Sequence, residues 1–188
     1  IAVISTTETI VVIAAIVAIA TINRKIKKTK IERVSLRSRV LLSIKRIMKT
    51  LEEKEIELIE EFEVYEDWMD RYQYLVDLGG ELEGLSAEEK NDETLIKGCQ
   101  SQVWLVCDEQ DGRLFFRGES DAIIVKGIVA LLINMMSGCT AEEVVKYDFG
   151  FLDKIGLKEH LSPTRSNGLV SMVEKMKAYA ILKLKCES

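Results

Sequence analysis

Residues 122–136 run fifteen positions with only Lys126 and Asn134 polar. A helix that is apolar on every side has to be covered on every side, so this stretch demands a fold built around a central buried helix. It is too short to be a membrane span, which takes about 20 apolar residues. The flanks punctuate it in the usual way. Ser120 or Asp121 stands where a helix cap is needed, and Gly138 stands where the helix should stop.

What covers that helix is legible on both sides. Val103, Leu105 and Cys107 alternate with Trp104, Val106 and Asp108, a strand pattern rich in β-formers. Gln110-Asp111-Gly112 supplies a tight turn, and Leu114-Phe115-Phe116-Arg117 returns as the hairpin partner. Leu51, Ile56, Leu58, Ile59 and Phe62 recur at helical steps among glutamates. A second helix is expected over residues 67–78, with Trp68, Tyr72, Leu75 and Leu78 inward and Gly79-Gly80 ending it. Ser86 and Glu89 form a capping-box pattern cut short by Asn91-Asp92, so residues 80–95 read as a long surface segment. Thr140 with Glu143 opens a short helix to Lys146, and another short one around 151–155 ends at Gly156. The last helix is expected from near Ser166 to about Leu184, with Leu169, Val173, Met176 and Ala180 as its packing stripe. The class is α+β: a small antiparallel sheet covered by helices.

Charge divides the chain at about Met48. Residues 1–47 carry ten Lys/Arg against Glu8 and Glu32, a net of +8, whereas residues 48–188 carry sixteen against twenty-nine, a net of −13. Residues 10–22 are apolar and are followed at once by Arg24, Lys25, Lys27, Lys28 and Lys30. If that run spans a membrane, the basic cluster puts the remainder in the cytoplasm. The run is short, the chain opens on Ile, and Met48 is its first methionine. Residues 1–47 are therefore expected to be a basic extension or upstream sequence that takes no part in the chemistry, with a membrane tether as the alternative. Residues 48–188 are expected to form the working domain. Its acidity leaves no electrostatic footprint for a phosphate backbone, so nucleic acid is not an expected partner.

Four cysteines, at 99, 107, 139 and 186, are too few for a disulfide scaffold in a chain of 188 residues. A reduced, cytoplasmic setting follows. There is no CxxC pair and a single histidine, His160, so the usual closed zinc patterns are missing. Cys99 stands apart from the others. It lies in the polar run Lys97-Gly98-Cys99-Gln100-Ser101-Gln102, between a surface segment and a strand. Gly98 permits a sharp turn that would aim amides at the sulfur, and Lys97 would favour the thiolate. An unremarkable loop cysteine is the competing reading. Cys107, inside an apolar strand, should be inert through burial; Cys139, after Gly138, should be exposed; Cys186 falls in a charged tail. A Cys–His hydrolase would need His160 beside Cys99, and His160 reads as a surface residue in a loop. A second polar island, Ser162-Pro163-Thr164-Arg165-Ser166-Asn167-Gly168, is either a plain helix start or a place where Arg165 holds a thiolate or a partner's carboxylate.

The stretch from about Tyr65 to Leu184 resembles the SufE family of cysteine desulfuration proteins. The likeness rests on Asp67-Trp68 with Arg71-Tyr72, on Gly98-Cys99-Gln100-Ser101-Gln102-Val103-Trp104, on Phe116-Arg117 with Ser120-Asp121, and on Ser162 to Leu169. The resemblance implies a SufE/IscU-like α+β fold. It implies that Cys99 takes sulfur as a persulfide from a pyridoxal-phosphate cysteine desulfurase of the SufS or CsdA kind. It further implies stimulation of that enzyme and relay of the sulfur to an Fe–S scaffold complex of the SufBCD kind. Pyridoxal phosphate would belong to the desulfurase, leaving this chain with no cofactor and no metal of its own. Arg165 would lie near the cysteine loop and the partner surface, and a homodimer is allowed for. The alternative is an IscU-like Fe–S scaffold, which would need at least two ligands beside Cys99.

Overall fold

The computed structural model of the chain describes residues 49–186, and the segment 1–47, with the tether considered for it, lies outside the described residues. Helix α1 (Leu51–Glu63) opens with a reciprocal cap: the Thr50 side chain accepts the Glu53 N–H while the Glu53 carboxylate accepts that of Thr50. Its buried face carries Lys54, Leu58 and Phe62, and Ile56, expected inward, is 57% exposed. A lysine takes the inward position because its ammonium finishes another helix, as described below. Helix α2 (Trp68–Gly80) starts at an Asp67 cap and runs through the two glycines expected to end it.

Those glycines serve a crossing. Gly79 is buried where α2 meets the central helix α3 (Ile123–Met136). A Cβ on Gly79 would come within 2.8 Å of the Gly127 nitrogen, and one on Gly127 within 2.2 Å of the Leu75 carbonyl oxygen. The two backbones touch because neither residue has a side chain. Ile128, Leu131, Leu132, Met135 and Met136 of α3 are all buried, as the sequence demands.

The sheet under α3 is antiparallel, in the order β1-β2-β3. Strands β1 (Val103–Gln110) and β2 (Arg113–Ser120) pair from Val103 opposite Ser120 to Gln110 opposite Arg113. The two-residue loop between them, Asp111-Gly112, has φ of 51° and 72°, the pair of positive values that a type I′ hairpin turn requires. Strand β3 (Cys139–Thr140) pairs with β2 at Arg113 and Leu114. Two residues carry no readable period, so β3 is not foreseen. Val103, Leu105, Leu114 and Phe116 form the buried face.

The remaining elements close the other side. Helix α4 (Ala141–Lys146) has the expected Thr140–Glu143 capping box, and α5 (Phe151–Lys154) is followed by Gly156 at φ 71°. A short 3-10 turn (Lys158–His160) leads into α6 (Pro163–Cys186). This last helix begins ahead of the expected Ser166, with Pro163 in the first position, where a missing N–H costs nothing. The long surface segment is tied down by its charges, Lys90 to Glu119 at 2.7 Å and Glu89 to Arg117. Among the described residues no helix is long and apolar enough to cross a membrane.

Candidate functional site

Residues 97–101 form a small loop whose base is closed by backbone bonds. The Ile96 N–H donates to the Val103 carbonyl at 2.7 Å, and the Leu105 N–H to that of Thr94 at 2.9 Å. On the far side the Gln102 N–H donates to the Asp121 carboxylate at 3.0 Å, and the Asp121 N–H returns to the Gln102 carbonyl at 3.3 Å. Asp121 thus latches this loop and does not cap α3. The residue at the cap position of α3 is Ala122, which makes no side-chain bond; its own N–H donates to Ser120 Oγ at 3.3 Å.

Gly98 turns the loop at φ 92°, where a side chain would be strained, and even an ideal Cβ there would lie 3.0 Å from Ser171 Oγ. The turn lays Cys99 against the start of α6. Its Sγ sits 3.6 Å from the Gly168 carbonyl oxygen, to which the thiol donates. Gly168 makes the room: a Cβ on it would be 3.1 Å from that sulfur and 3.7 Å from Cys99 Cα. Thr164 Oγ1 adds a weak contact to Gln100 Oε1 at 3.4 Å. The loop is therefore seated on three successive levels of one helix, at Thr164, Gly168 and Ser171.

The electrostatics differ from the expectation attached to Lys97. Burial pushes the Cys99 thiol above its ordinary value, and no cation offsets it. A carbonyl oxygen also favours a thiol that can donate over a thiolate that cannot. Among the described residues no backbone N–H donates to the sulfur. In this seating Cys99 is a half-buried, protonated thiol. Arg165 is exposed, in the first turn of α6 and three residues ahead of Gly168. Among the described residues it makes no hydrogen bond or ion pair.

His160 is occupied elsewhere, which removes the hydrolase reading. Its ring stacks on Trp68 with centroids 3.7 Å apart, and its Nδ1 lies 3.1 Å from the Gly156 carbonyl. Tyr72 Oη donates to the His160 carbonyl at 2.6 Å, and Arg71 Nε to that of Tyr65 at 3.1 Å. The aromatic start of α2 thereby fixes the turn that delivers α6 to the cysteine loop. In the sequence Trp68 and Tyr72 show as an inward stripe and, with Asp67 and Arg71, as part of the family resemblance.

The other thiols lie apart on different elements. Cys107 is half-buried on β1, and burial pushes it up to about 11. Cys139 is buried, against the expectation of exposure, because β3 carries it under α1. Cys186 is the exposed last residue of α6. All four thiols are free. Among the described residues no three His, Cys, Asp or Glu side chains are grouped so as to hold a metal ion.

Comparison with known proteins agrees with this architecture. A family model described as "SufE: Fe-S metabolism associated domain" matches residues 56–180. An uncharacterized SufE-like protein of Rhizobium meliloti (strain 1021) is 42% identical over 129 residues, covering 66% of this chain and 92% of the relative. One from Rhizobium etli is 43% identical over 129 residues, covering 66% and 87%. The solution structure of a hypothetical protein from Thermus thermophilus superposes with a TM-score of 0.60 at 22% identity, covering 70% of this chain and 96% of the other. That likeness shows the same small antiparallel sheet surrounded by helices. The chain belongs to the SufE family, whose domain is associated with Fe–S metabolism.

Proposed function

We propose that this protein is a cytoplasmic sulfur acceptor for Fe–S cluster assembly, taking sulfur onto Cys99 from a cysteine desulfurase and stimulating that enzyme. One observation carries the reading. Of the four thiols, Cys99 alone stands in a closed surface loop, turned by Gly98 and seated on a glycine of a neighbouring helix. The transfer is an exchange at sulfur. The Cys99 thiolate attacks the outer sulfur of the partner's persulfide; the bond between that sulfur and the partner's cysteine breaks, and the partner leaves as a thiolate. No net oxidation occurs. Because the seated thiol is protonated and half-covered, docking has to draw it off the Gly168 carbonyl before it can attack. The pyridoxal phosphate that releases sulfur from cysteine belongs to the partner. An Fe–S scaffold complex is the acceptor downstream. An IscU-like scaffold role has less support, since the other three thiols lie on β1, at β3 and at the end of α6.

The test is intact mass after brief reaction with desulfurase and cysteine, followed by alkylation and peptide mapping. A gain of one sulfur, about 32 Da, should map to the Cys99 peptide. It should vanish in Cys99→Ser and persist in Cys107→Ala and Cys186→Ala. Sulfur arriving at a normal rate on Cys99→Ser would overturn the assignment.

A further inference from the structure

Away from the cysteine loop, α1 brings two reactive side chains together in the core. Lys54 is 5% exposed and Cys139 is 3% exposed. The Lys54 ammonium donates to the Ser137 carbonyl at 2.7 Å and the Met135 carbonyl at 3.3 Å, and reaches Cys139 Sγ at 3.8 Å. The thiol in turn lies 3.7 Å from the Met135 carbonyl. The two carbonyls explain why a cation belongs here, since they end α3, where the helix dipole is negative. They do not require a thiol beside it. Sulfur-transfer chemistry at Cys99 uses neither residue.

An amine and a thiol held in contact in a buried site can be joined by one oxygen atom. We propose that Lys54 and Cys139 form a reversible oxidative cross-link, Nζ–O–Sγ, that staples α1 to the turn after α3. Dioxygen is the oxidant. The ammonium first gives one proton to solvent; then the S–H bond, one N–H bond of the neutral amine and the O–O bond break, and S–O and O–N bonds form. The second oxygen atom leaves as water with the hydrogens from sulfur and nitrogen. Four electrons pass to dioxygen, two from sulfur and two from nitrogen. A small apolar oxidant suits the place, because it can enter a core from which ions and bulky reagents are excluded. The lysine's flexible stem allows the further approach that a bridging oxygen needs. Burial pushes the Cys139 thiol up, with Lys54 opposing. The buried thiol is therefore poorly reactive toward alkylating agents, and the amine 3.8 Å away stands ready to capture it once oxidised.

The experiment compares the full-length protein purified without oxygen with the same protein kept in air. Each is denatured, alkylated and digested for peptide mapping. In the aerated sample the peptides bearing Lys54 and Cys139 should appear joined, about 14 Da heavier than their sum. Dithiothreitol should separate them and restore an alkylatable Cys139. The joined species should be missing from Lys54→Met and Cys139→Ser. Should either variant fold poorly, the wild-type map still decides. A Cys139 that remains fully alkylatable after prolonged aeration, or that gains oxygen with the Lys54 peptide free, overturns the proposal.

Discussion

In the seated loop the Cys99 thiol has an acceptor 3.6 Å away and no nearby cation favouring its ionisation. That arrangement keeps the thiol protonated and half-covered while the loop stays seated. Gly168 is the residue on which the arrangement turns. In Gly168→Ala, a Cβ at 3.1 Å from the sulfur would push the loop outward. Alanine also raises helix propensity, by about 0.5–1 kcal/mol, so global stability should change little. The expected outcome is a several-fold faster reaction of Cys99 with iodoacetamide at neutral pH, followed by peptide mapping, at an almost unchanged melting temperature. An unchanged rate would mean that the seating does not control access. Arg165 should act differently, because it is exposed and forms no bond that holds the fold. Arg165→Ala should leave Cys99 alkylation as it is and slow sulfur transfer at subsaturating desulfurase. A lost charge-assisted contact with the partner or its persulfide costs about 1.5–3 kcal/mol, roughly ten- to a hundredfold in rate. Transfer at the normal rate by the folded variant would remove Arg165 from the site. The cysteine loop and the polar start of α6 could be read from the sequence because polar residues and glycine interrupt the apolar pattern there. Cys99 protonation could not, since it depends on a carbonyl of a residue 69 positions away.

At the level of elements, sequence pattern located nearly all the helices and the hairpin, and its errors share a cause. Glycine at a helix stop and glycine at a helix crossing look alike in a sequence. By pattern Gly79 ends α2, yet it lets α2 touch α3, and by pattern Ile56 faces inward, yet Lys54 takes an inward place. Asp121 likewise fits a cap by position, yet its carboxylate turns to the Gln102 N–H across the sheet. Each error is a local rule overridden by a partner distant in the chain. The α2–α3 crossing is also the place where the fold should be least forgiving. A Cβ on Gly127 would stand 2.2 Å from the Leu75 oxygen and 2.6 Å from its carbon. Those are backbone atoms of a helix, so no side-chain rotation relieves the contact. Gly127→Ala should therefore cost about 2–3 kcal/mol through overpacking, against a propensity gain of under about 1. A lowered urea midpoint with an unchanged slope would show it. A midpoint equal to that of the wild type would mean that the helices cross with more space between them.

At the scale of the whole molecule, the described residues have a capped start and a core of their own. The first helix has its own cap at Thr50, and a buried core runs from Leu58 to Ala180. The family match falls inside these bounds, at residues 56–180. The solved Thermus thermophilus protein is matched over 96% of its length, so a chain little longer than this domain makes the fold. The charge division at Met48 points the same way, since a net of +8 precedes it and −13 follows. We propose that Met48 marks the start of an independent folding unit. A chain beginning at Met48 should then unfold in one cooperative transition, at a midpoint within about 2 °C of the full-length protein's, and accept sulfur on Cys99 at the same rate. The full-length chain is measured in detergent and in its absence, because the apolar run over residues 10–22 would otherwise confuse aggregation with unfolding. A shortened chain that is insoluble, or that melts well below the full-length protein in detergent, would place residues 1–47 within the structure. A shortened chain that folds equally well but accepts sulfur slowly would place them at the partner's surface. Equal folding and equal transfer would leave the extension outside the reaction.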